Sequence, residues 1–244
     1  MKKIEIITHC QSIQRPFYEA LLTYQLSSLI LHKPKNCEVS ITVCCCNEDD
    51  RTWKVLDYFF SHGSLNLSAF VMTPEDLGRR AIGRNKSALV SVADIVWFTD
   101  VDYVFYDGCL DAVAELHWPD DHVMVYANEI YMHKDHEICM PAIERVKGNP
   151  VIIDIEREEF TTRRIEKAIG GLHIVPGDFA REHGYCNGGE TPMKPTDGSF
   201  NRCECDVYYR AMCRKYGTYG GVDIPNVYRL RHPARRFENR RKKK

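Results

Sequence analysis

Two aspartates lie one residue apart at the end of an apolar run. Asp100 and Asp102 follow the run IVWF of residues 95–98. Side chains two positions apart in an extended chain point the same way, so both carboxylates can face one ligand. Two carboxylates at the carboxyl end of a strand suit a hard divalent cation bound to a diphosphate. The pair therefore predicts an enzyme that handles an activated nucleotide compound, although acid pairs are also common on protein surfaces.

The sequence around the pair predicts a parallel sheet. Strands are expected at 3–8, 39–46, 67–72 and 95–99, and helices between them at 15–31, 50–62 and 83–93. This alternation is typical of a parallel sheet with right-handed crossovers, in which ligands bind beyond the carboxyl ends of the strands. Thr8, Glu48 and Asp49 follow the first two strands and are candidate ligand contacts. Glu48 and Asp49 equally suit capping of the helix that comes next.

The second half of the chain is less regular. The expected elements are helices at 110–116, 178–183 and 206–216, strands at 123–126, 151–155 and 170–176, a helix or ordered loop at 160–168, and a Gly-, Pro-, Asn- and Thr-rich loop at 186–201. No internal repeat and no clear linker interrupts residues 1–234, so we expect one domain, divided near residue 107 into two halves.

The composition is that of an ordinary globular protein. Of the 244 residues, 44% are hydrophobic and 27% are charged, and no apolar run is long enough to span a bilayer. The amino terminus resembles a first strand, not a signal peptide. The 11 cysteines are odd in number, and three are consecutive, which is typical of reduced, buried thiols in a cytosolic protein. A zinc site at Cys186, Cys203, Cys205 and Cys213 is the alternative, but the spacing matches no standard structural site.

The last ten residues form a basic tail. Residues 235–244 carry seven basic groups and one acid, so the tail has a charge of +6 and the remaining body about −7. Such a tail is usually a solvated end. Alternatively it contacts an anionic partner, either DNA or a membrane surface, which would make the protein peripheral to the membrane.

Several further motifs occur in a recognisable order. They are Ile4–His9, Arg84-Asn85 ahead of the Asp-X-Asp pair, Gly170-Gly171 ahead of a strand and the helix 178–183, CECDVYYR at 203–210 and YRLRHP at 228–233. Together they resemble the GT-A-fold glycosyltransferases, especially the family 2-like enzymes. The resemblance spans roughly residues 3–233, and the ordered set is more specific than any single motif.

The resemblance implies both a fold and a reaction. The fold would be an α/β, Rossmann-like α/β/α sandwich with a mainly parallel central sheet, its nucleotide-sugar half at about 1–107 and its acceptor half at about 108–234. The reaction would move a sugar from a nucleotide-diphosphate donor, by analogy a UDP-sugar, to an acceptor hydroxyl with inversion. The cofactor would be Mn²⁺ or Mg²⁺. The acceptor would be a glycan or a hydroxymethylated DNA base.

The resemblance also implies roles for individual residues. Asp102 and His232 would hold the metal, and Glu204 would be the general base. The donor would be bound by Thr8, Glu48, Asp49, Arg84, Asp100 and Asp102. Gly170 and Gly171 would lie on the acceptor side. The match departs from the family at two points, since Cys203 replaces an acid and Glu204 replaces an aspartate, which moves the carboxylate by about one methylene.

Other interpretations stay open at this point. Glu204 and Asp206 could serve only as helix-start acids, Arg84 could be a surface arginine, and His232 could be structural. A nucleotidyltransferase also uses paired acids with a metal, but the segment after the first strand, THCQS, is not a glycine- and lysine-rich phosphate loop. A non-catalytic binding module is the third class, and the intact Asp100, Asp102, Glu204 and His232 count against it.

Overall fold

The computed structural model describes residues 1–15, 17–199 and 204–232, and these form two sheets flanked by helices. The strands are β1 (Lys2–His9), β2 (Cys37–Cys45), β3 (Asn66–Val71), β4 (Ile95–Phe98), β5 (Tyr103–Phe105), β6 (His122–Ala127), β7 (Glu129–His133), β8 (Phe160–Arg164), β9 (His173–Pro176), β10 (Thr218–Val222) and β11 (Val227–Arg229). The helices are α1 (Tyr18–Leu31), α2 (Asp50–His62), α3 (Pro74–Leu77), α4 (Arg80–Val90), α5 (Cys109–Ala114), α6 (His136–Val146), α7 (Gly177–His183) and α8 (Cys205–Cys213).

The larger sheet has seven strands in the order β10-β6-β9-β4-β1-β2-β3. The pairs β4–β1, β1–β2, β2–β3 and β6–β10 are parallel, whereas β9 is antiparallel to both of its neighbours. Strand β4 is apolar throughout and at most 2% exposed, as expected of a strand covered on both faces. The predicted fold class, a mainly parallel α/β sandwich, is confirmed.

The smaller sheet has four strands in the order β5-β11-β7-β8. Strand β11 is antiparallel to β5 and parallel to β7, and β8 is antiparallel to β7. Because β5 begins one residue after Asp102, the chain passes from one sheet to the other through residues 99–102. The aspartate pair therefore lies at the junction of the two sheets.

The elements predicted for the first half are confirmed to within a few residues, whereas the short helix α3 and strand β5 were not predicted. Helix α4 begins at Arg80, three residues before its predicted start, so Arg84 lies in its second turn. The N-cap residue Arg79 has an extended backbone and no capping side chain, which explains why the local sequence gave no start signal.

Two predictions for the second half were wrong. Residues 151–155 form no strand, because their backbone groups bond to the Ser27 hydroxyl of α1, which donates to the Val151 carbonyl and accepts from the Ile153 amide. Residues 160–164, expected as a helix or loop, form strand β8. A loop was predicted at 186–201, and residues 186–199 do form turns and bends. Residues 200 and 201 lie outside the described residues.

None of the helices that the described residues form combines the length and apolar character that crossing a bilayer requires. The basic tail 235–244 lies outside the described residues.

Candidate active site

The loop 99–102 is fixed by bonds to its backbone from three distant parts of the chain. The Gln25 side chain of α1, which is fully buried, donates to the carbonyls of Asp100 (3.1 Å) and Tyr103 (3.0 Å). Arg84 donates to the carbonyl of Thr99 at 2.7 Å, and the amide of Leu230 donates to the carbonyl of Asp102 at 2.8 Å. The two carboxylates are thus presented on a rigid backbone.

Asp100 is held by two arginines of α4. Its Oδ1 accepts from Arg84 Nη2 at 2.9 Å and also from Arg80 Nη1. Burial by itself would raise the pKa of this carboxyl, but the guanidinium groups of Arg80 and Arg84 outweigh it, and the pKa of Asp100 lies well below its usual range. Asp100 is therefore a permanent anion whose charge is more than offset by the two arginines.

Asp102 is held differently. Its Oδ2 accepts from Arg229 Nε at 2.9 Å, and His232 Nε2 lies 3.8 Å from the same oxygen. Its Oδ1 is buried and has no hydrogen-bond partner among the described residues. An anionic oxygen buried without a partner is costly, so a ligand is expected to satisfy it.

Asp102 and His232 offer some, but not all, of the ligand atoms that a divalent metal ion needs. A carboxylate oxygen and an imidazole nitrogen suit Mn²⁺. The edge of the Tyr18 ring packs against the His232 imidazole, with ring centroids 5.5 Å apart, and so orients it. In the part of the chain that the structure describes, no group of three or more His, Cys, Asp or Glu side chains could hold a metal ion. Oxygen atoms of a bound ligand would have to complete the coordination.

Gly170 lies close to Asp100, and Gly171 lies against Tyr103. A β-carbon at Gly170 would be 3.8 Å from Arg84 Nη1 and 4.0 Å from Asp100 Oδ2. One at Gly171 would be only 2.2 Å from the Tyr103 ring. The Gly171 carbonyl also accepts from the buried Trp97 indole at 3.1 Å. The glycine pair therefore lets the chain entering β9 approach Asp100 and Tyr103 closely.

A cleft of about 510 Å³ lies beyond the carboxyl ends of β1, β2 and β3. It is lined by segments following these three strands and by part of the 186–199 loop, including Gln11, Glu48, Thr73 and Gly198. Gln11 and Gln14 both donate to the Gly198 carbonyl, at 3.4 and 2.8 Å, which ties the loop across the cleft. The exposed Glu48 is thus available to a ligand there.

Two other predicted donor contacts are buried. Thr8 is fully buried at the end of β1, and its hydroxyl has no partner among the described residues. Asp49 is also fully buried and caps α2, since it accepts from the amides of Thr52 (3.2 Å) and Ser12 (2.5 Å) and from the Thr52 hydroxyl (2.8 Å). These bonds engage both of its carboxylate oxygens, so a donor contact through the Asp49 side chain is not supported and the capping alternative holds.

Glu204 is the N-cap residue of α8. Its side chain is exposed and makes no capping hydrogen bond, so its carboxylate remains available to solvent and ligands. Asp206, by contrast, lies 3.7 Å from Arg210 in the same helix. Cys203 lies outside the described residues, whereas Cys186, Cys205 and Cys213 are buried.

A buried aromatic cluster connects α8 to the aspartates. Tyr209 of α8 stacks on Tyr185, with ring centroids 4.0 Å apart, and Arg84 donates to the Tyr185 hydroxyl at 3.0 Å. His173 lies 3.1 Å from the same hydroxyl. Burial, together with the charge of Arg84, lowers the pKa values of His173 and His9 well below 6.5, so both imidazoles are neutral.

Sequence reasoning missed Arg80, Arg229 and Gln25. Arg80 lies four residues before Arg84, one helical turn away, and that spacing was a usable signal. Arg229 occurs within the YRLRHP motif but was not assigned a role. Its contact with Asp102 spans 127 residues and depends on the pairing of β11 with β5. Gln25 carried no signal, because a polar residue in an amphipathic helix is usually exposed.

No protein-family model matches the chain, and no curated protein matches it. Solved structures do. The structure of S. aureus TarS 1-349 in complex with UDP shares 14% identity, with a TM-score of 0.51 over 98% of this chain and 63% of that one. The galactosyltransferase LgtC, in complex with donor and acceptor sugar analogs, shares 12% identity, with a TM-score of 0.54 over 96% of this chain and 94% of that one.

A third similar structure is the mannosyltransferase PcManGT from Pyrobaculum calidifontis, in complex with GDP-Man and Mn²⁺. It shares 14% identity, with a TM-score of 0.55 over 94% of this chain and 56% of that one. The chain thus spans about three fifths of the TarS and PcManGT structures and nearly all of LgtC. At such low identity the likeness shows the fold alone, and the chain has the α/β fold of the GT-A glycosyltransferases.

Proposed function

We propose that the protein is a metal-dependent glycosyltransferase that moves a sugar from a nucleotide-diphosphate donor to an acceptor hydroxyl. The observation that carries this proposal is Oδ1 of Asp102, which is buried and has no hydrogen-bond partner among the described residues. The other oxygen of this carboxylate lies near Arg229 and His232, and Arg80 and Arg84 contact the neighbouring Asp100, at the ligand edge of a GT-A sheet. A glycosyltransferase needs there an anionic metal ligand and cationic groups for a diphosphate.

The donor would lie across the two parts of the site. Its nucleoside would occupy the 510 Å³ cleft, with Glu48 in hydrogen-bonding reach of base or ribose and the end of β1 at Thr8 supplying backbone groups. Its diphosphate would reach Asp102 and His232, with Arg80 facing the charge of the leaving group. A Mn²⁺ or Mg²⁺ ion held by Asp102 and His232 would offset the negative charge that develops on that diphosphate.

The acceptor would enter from the side of Gly170, Gly171 and α8. Its hydroxyl oxygen would form a bond to the anomeric carbon as the bond from that carbon to the diphosphate oxygen breaks. The hydroxyl proton would pass to the Glu204 carboxylate, which is exposed and free of a capping bond. Attack on the face opposite the leaving group would invert the anomeric carbon.

Two classes of acceptor are proposed, a glycan and a hydroxymethylated DNA base. The basic tail 235–244 would bind the phosphates of DNA in the second case, or an anionic membrane surface near a growing glycan in the first. A DNA affinity that falls with salt and is lost on deleting 235–244 supports the DNA acceptor. No binding at low salt rules it out.

A thermal-shift screen tests the donor. UDP-, GDP-, CMP- and dTDP-sugars, with UDP as the first choice by analogy, are compared with and without Mn²⁺. A ligand at 100 times its dissociation constant adds about 2.7 kcal/mol to the free energy of unfolding. The proposal fails if no nucleotide stabilises the protein in a metal-dependent way.

A further inference from the structure

Asp102 already has a cation as its partner. Arg229 Nε is 2.9 Å from Asp102 Oδ2, and the two side chains are only 12% and 6% exposed. Arg229 is fixed in place, because it pairs with Tyr103 across β11 and β5 and its guanidinium lies 5.1 Å from the centre of the Tyr103 ring. An arginine cannot lose its proton in a protein, so this positive charge is permanent.

The described side chains that form ion pairs with the two aspartates carry more positive than negative charge. Among the described residues, three guanidinium groups, those of Arg80, Arg84 and Arg229, contact the two carboxylates. The nearby imidazoles of His9 and His173 are neutral and alter this balance little. A divalent cation approaching Asp102 Oδ1 therefore enters a partly buried region that is already net positive, where repulsion between like charges is stronger than in water.

We propose that Arg229 is an internal counter-ion that makes divalent-cation binding at Asp102 depend on the donor's diphosphate. This inference rests on the proposed function. Without the diphosphate, Arg229 and the metal compete for the charge of one carboxylate. The diphosphate reverses the local excess, so metal and nucleotide increase each other's affinity by the same factor.

A Mn²⁺ titration without any nucleotide tests this directly, with free Mn²⁺ followed by electron paramagnetic resonance. Arg229→Gln and Arg229→Met are expected to bind Mn²⁺ about tenfold or more tightly than the unmodified protein, because each removes a unit charge beside the ligand. Arg229→Lys keeps the charge and should bind Mn²⁺ as weakly as the unmodified protein. Arg51→Gln, on the exposed face of α2, removes the same charge far from the site and should change nothing.

Three results would overturn the inference. They are a folded Arg229→Gln with unchanged or weaker Mn²⁺ affinity, an Arg229→Lys that gains as much affinity as Arg229→Gln, or an equal gain in Arg51→Gln. If neither uncharged Arg229 variant folds, the Mn²⁺ titration of Arg80→Gln tests the inference instead. This substitution removes a guanidinium from the neighbouring carboxylate and should strengthen Mn²⁺ binding in the same way, to a smaller extent. An unchanged affinity there also counts against the inference.

The outcome is separable from that of the proposed function. The Mn²⁺ titration uses no nucleotide, so its result stands even if every nucleotide-sugar fails in the thermal-shift screen. Conversely, metal-dependent stabilisation by a nucleotide supports the proposed function whether or not Arg229 governs the Mn²⁺ affinity.

Discussion

Asp100 and Asp102 are two residues apart, yet different regions of the chain hold them. Asp100 is bound by Arg80 and Arg84, which precede it by 20 and 16 residues on α4. Asp102 is bound by Arg229, which lies 127 residues further along on β11. The first carboxylate is thus fixed by the large sheet and its helices, and the second by the small sheet.

The difference in partners implies a difference in role. Two arginines more than offset the charge of Asp100, which suits an ion pair that stabilises the loop. Asp102 has one arginine and a buried oxygen without a partner among the described residues, which suits a ligand site. Two aspartates that are two positions apart in a sequence therefore need not share one function.

Removing the two carboxylate charges one at a time should have the largest effect and tests the difference between Asp100 and Asp102 directly. Asp100→Asn should lower the free energy of unfolding by about 3–5 kcal/mol, because it leaves the buried guanidinium of Arg84 without its anion. The Asp100→Asn protein should still bind nucleotide in a metal-dependent way. Asp102→Asn should lower the free energy of unfolding less, because only one arginine loses its anion. In this variant Mn²⁺ should no longer increase the stabilisation that a nucleotide provides.

Urea unfolding and thermal shifts with Mn²⁺ and UDP measure the two effects on the same pair of variants. If both variants lose metal-dependent binding equally, or if Asp102→Asn is the less stable of the two, the division of roles is wrong.

The next effect concerns the acceptor side. Glu204→Gln should reduce sugar transfer by about a hundredfold or more, because the amide cannot accept the acceptor's proton, while donor binding stays intact. Asp206→Asn is the matched control, since it lies two residues further along and is tied to Arg210. The rate of sugar transfer is measured from the nucleoside diphosphate that the reaction releases. Unchanged turnover in Glu204→Gln excludes it as the base.

A smaller effect distinguishes the two glycines beside the pair. Gly171→Ala should cost about 1–3 kcal/mol of stability, because its β-carbon would lie 2.2 Å from the Tyr103 ring and must push it aside. Gly170→Ala has room, with its nearest neighbours at 3.8 and 4.0 Å, and should be nearly neutral. Equal melting temperatures for the two variants would contradict the packing described around Tyr103.

The last prediction concerns the dependence of stability on pH. The pKa values of His9 and His173 are lowered by burial and by Arg84, so below pH 6.5 the unfolded chain binds protons that the folded chain does not. Stability should fall as the pH drops, by up to about 1.4 kcal/mol per pH unit for each histidine. His9→Gln should show a shallower slope between pH 7 and 5, whereas the exposed control His117→Gln should keep the slope of the unmodified protein.

Local signals determined which parts of the fold could be predicted. Helix α2 was predicted at both ends, because Asp49 caps its start and Gly63 ends it in the left-handed conformation. Strand β4 was predicted from its apolar run. Strands β5, β7, β10 and β11 were missed, since they have only three to five residues and pair with distant parts of the chain.

In the candidate site, too, contacts signalled by nearby residues could be predicted, whereas contacts between distant parts of the chain could not. Asp100, Arg84 and Gly170, which the sequence singled out, do lie together. Arg229 could not be placed beside Asp102, because that contact depends on a strand pairing that nothing near either residue specifies. The roles of Glu204, Thr8 and Glu48, and the extent of the domain over 1–234, stay predictions.

The reversed direction of β9 determines which connections can alter the site. His173 pairs with Phe98, so the chain reaches the ligand edge before β9 begins and leaves at the opposite edge through Pro176, opposite Ile95. Under the proposed function, insertions or deletions between β8 and Gly170 would change the size of the proposed acceptor entrance. Insertions at the junction of β9 and α7 would lie at the far edge of the sheet and leave that entrance intact. The proposal therefore expects related chains to differ in acceptor through the first connection while they retain the same donor-binding edge.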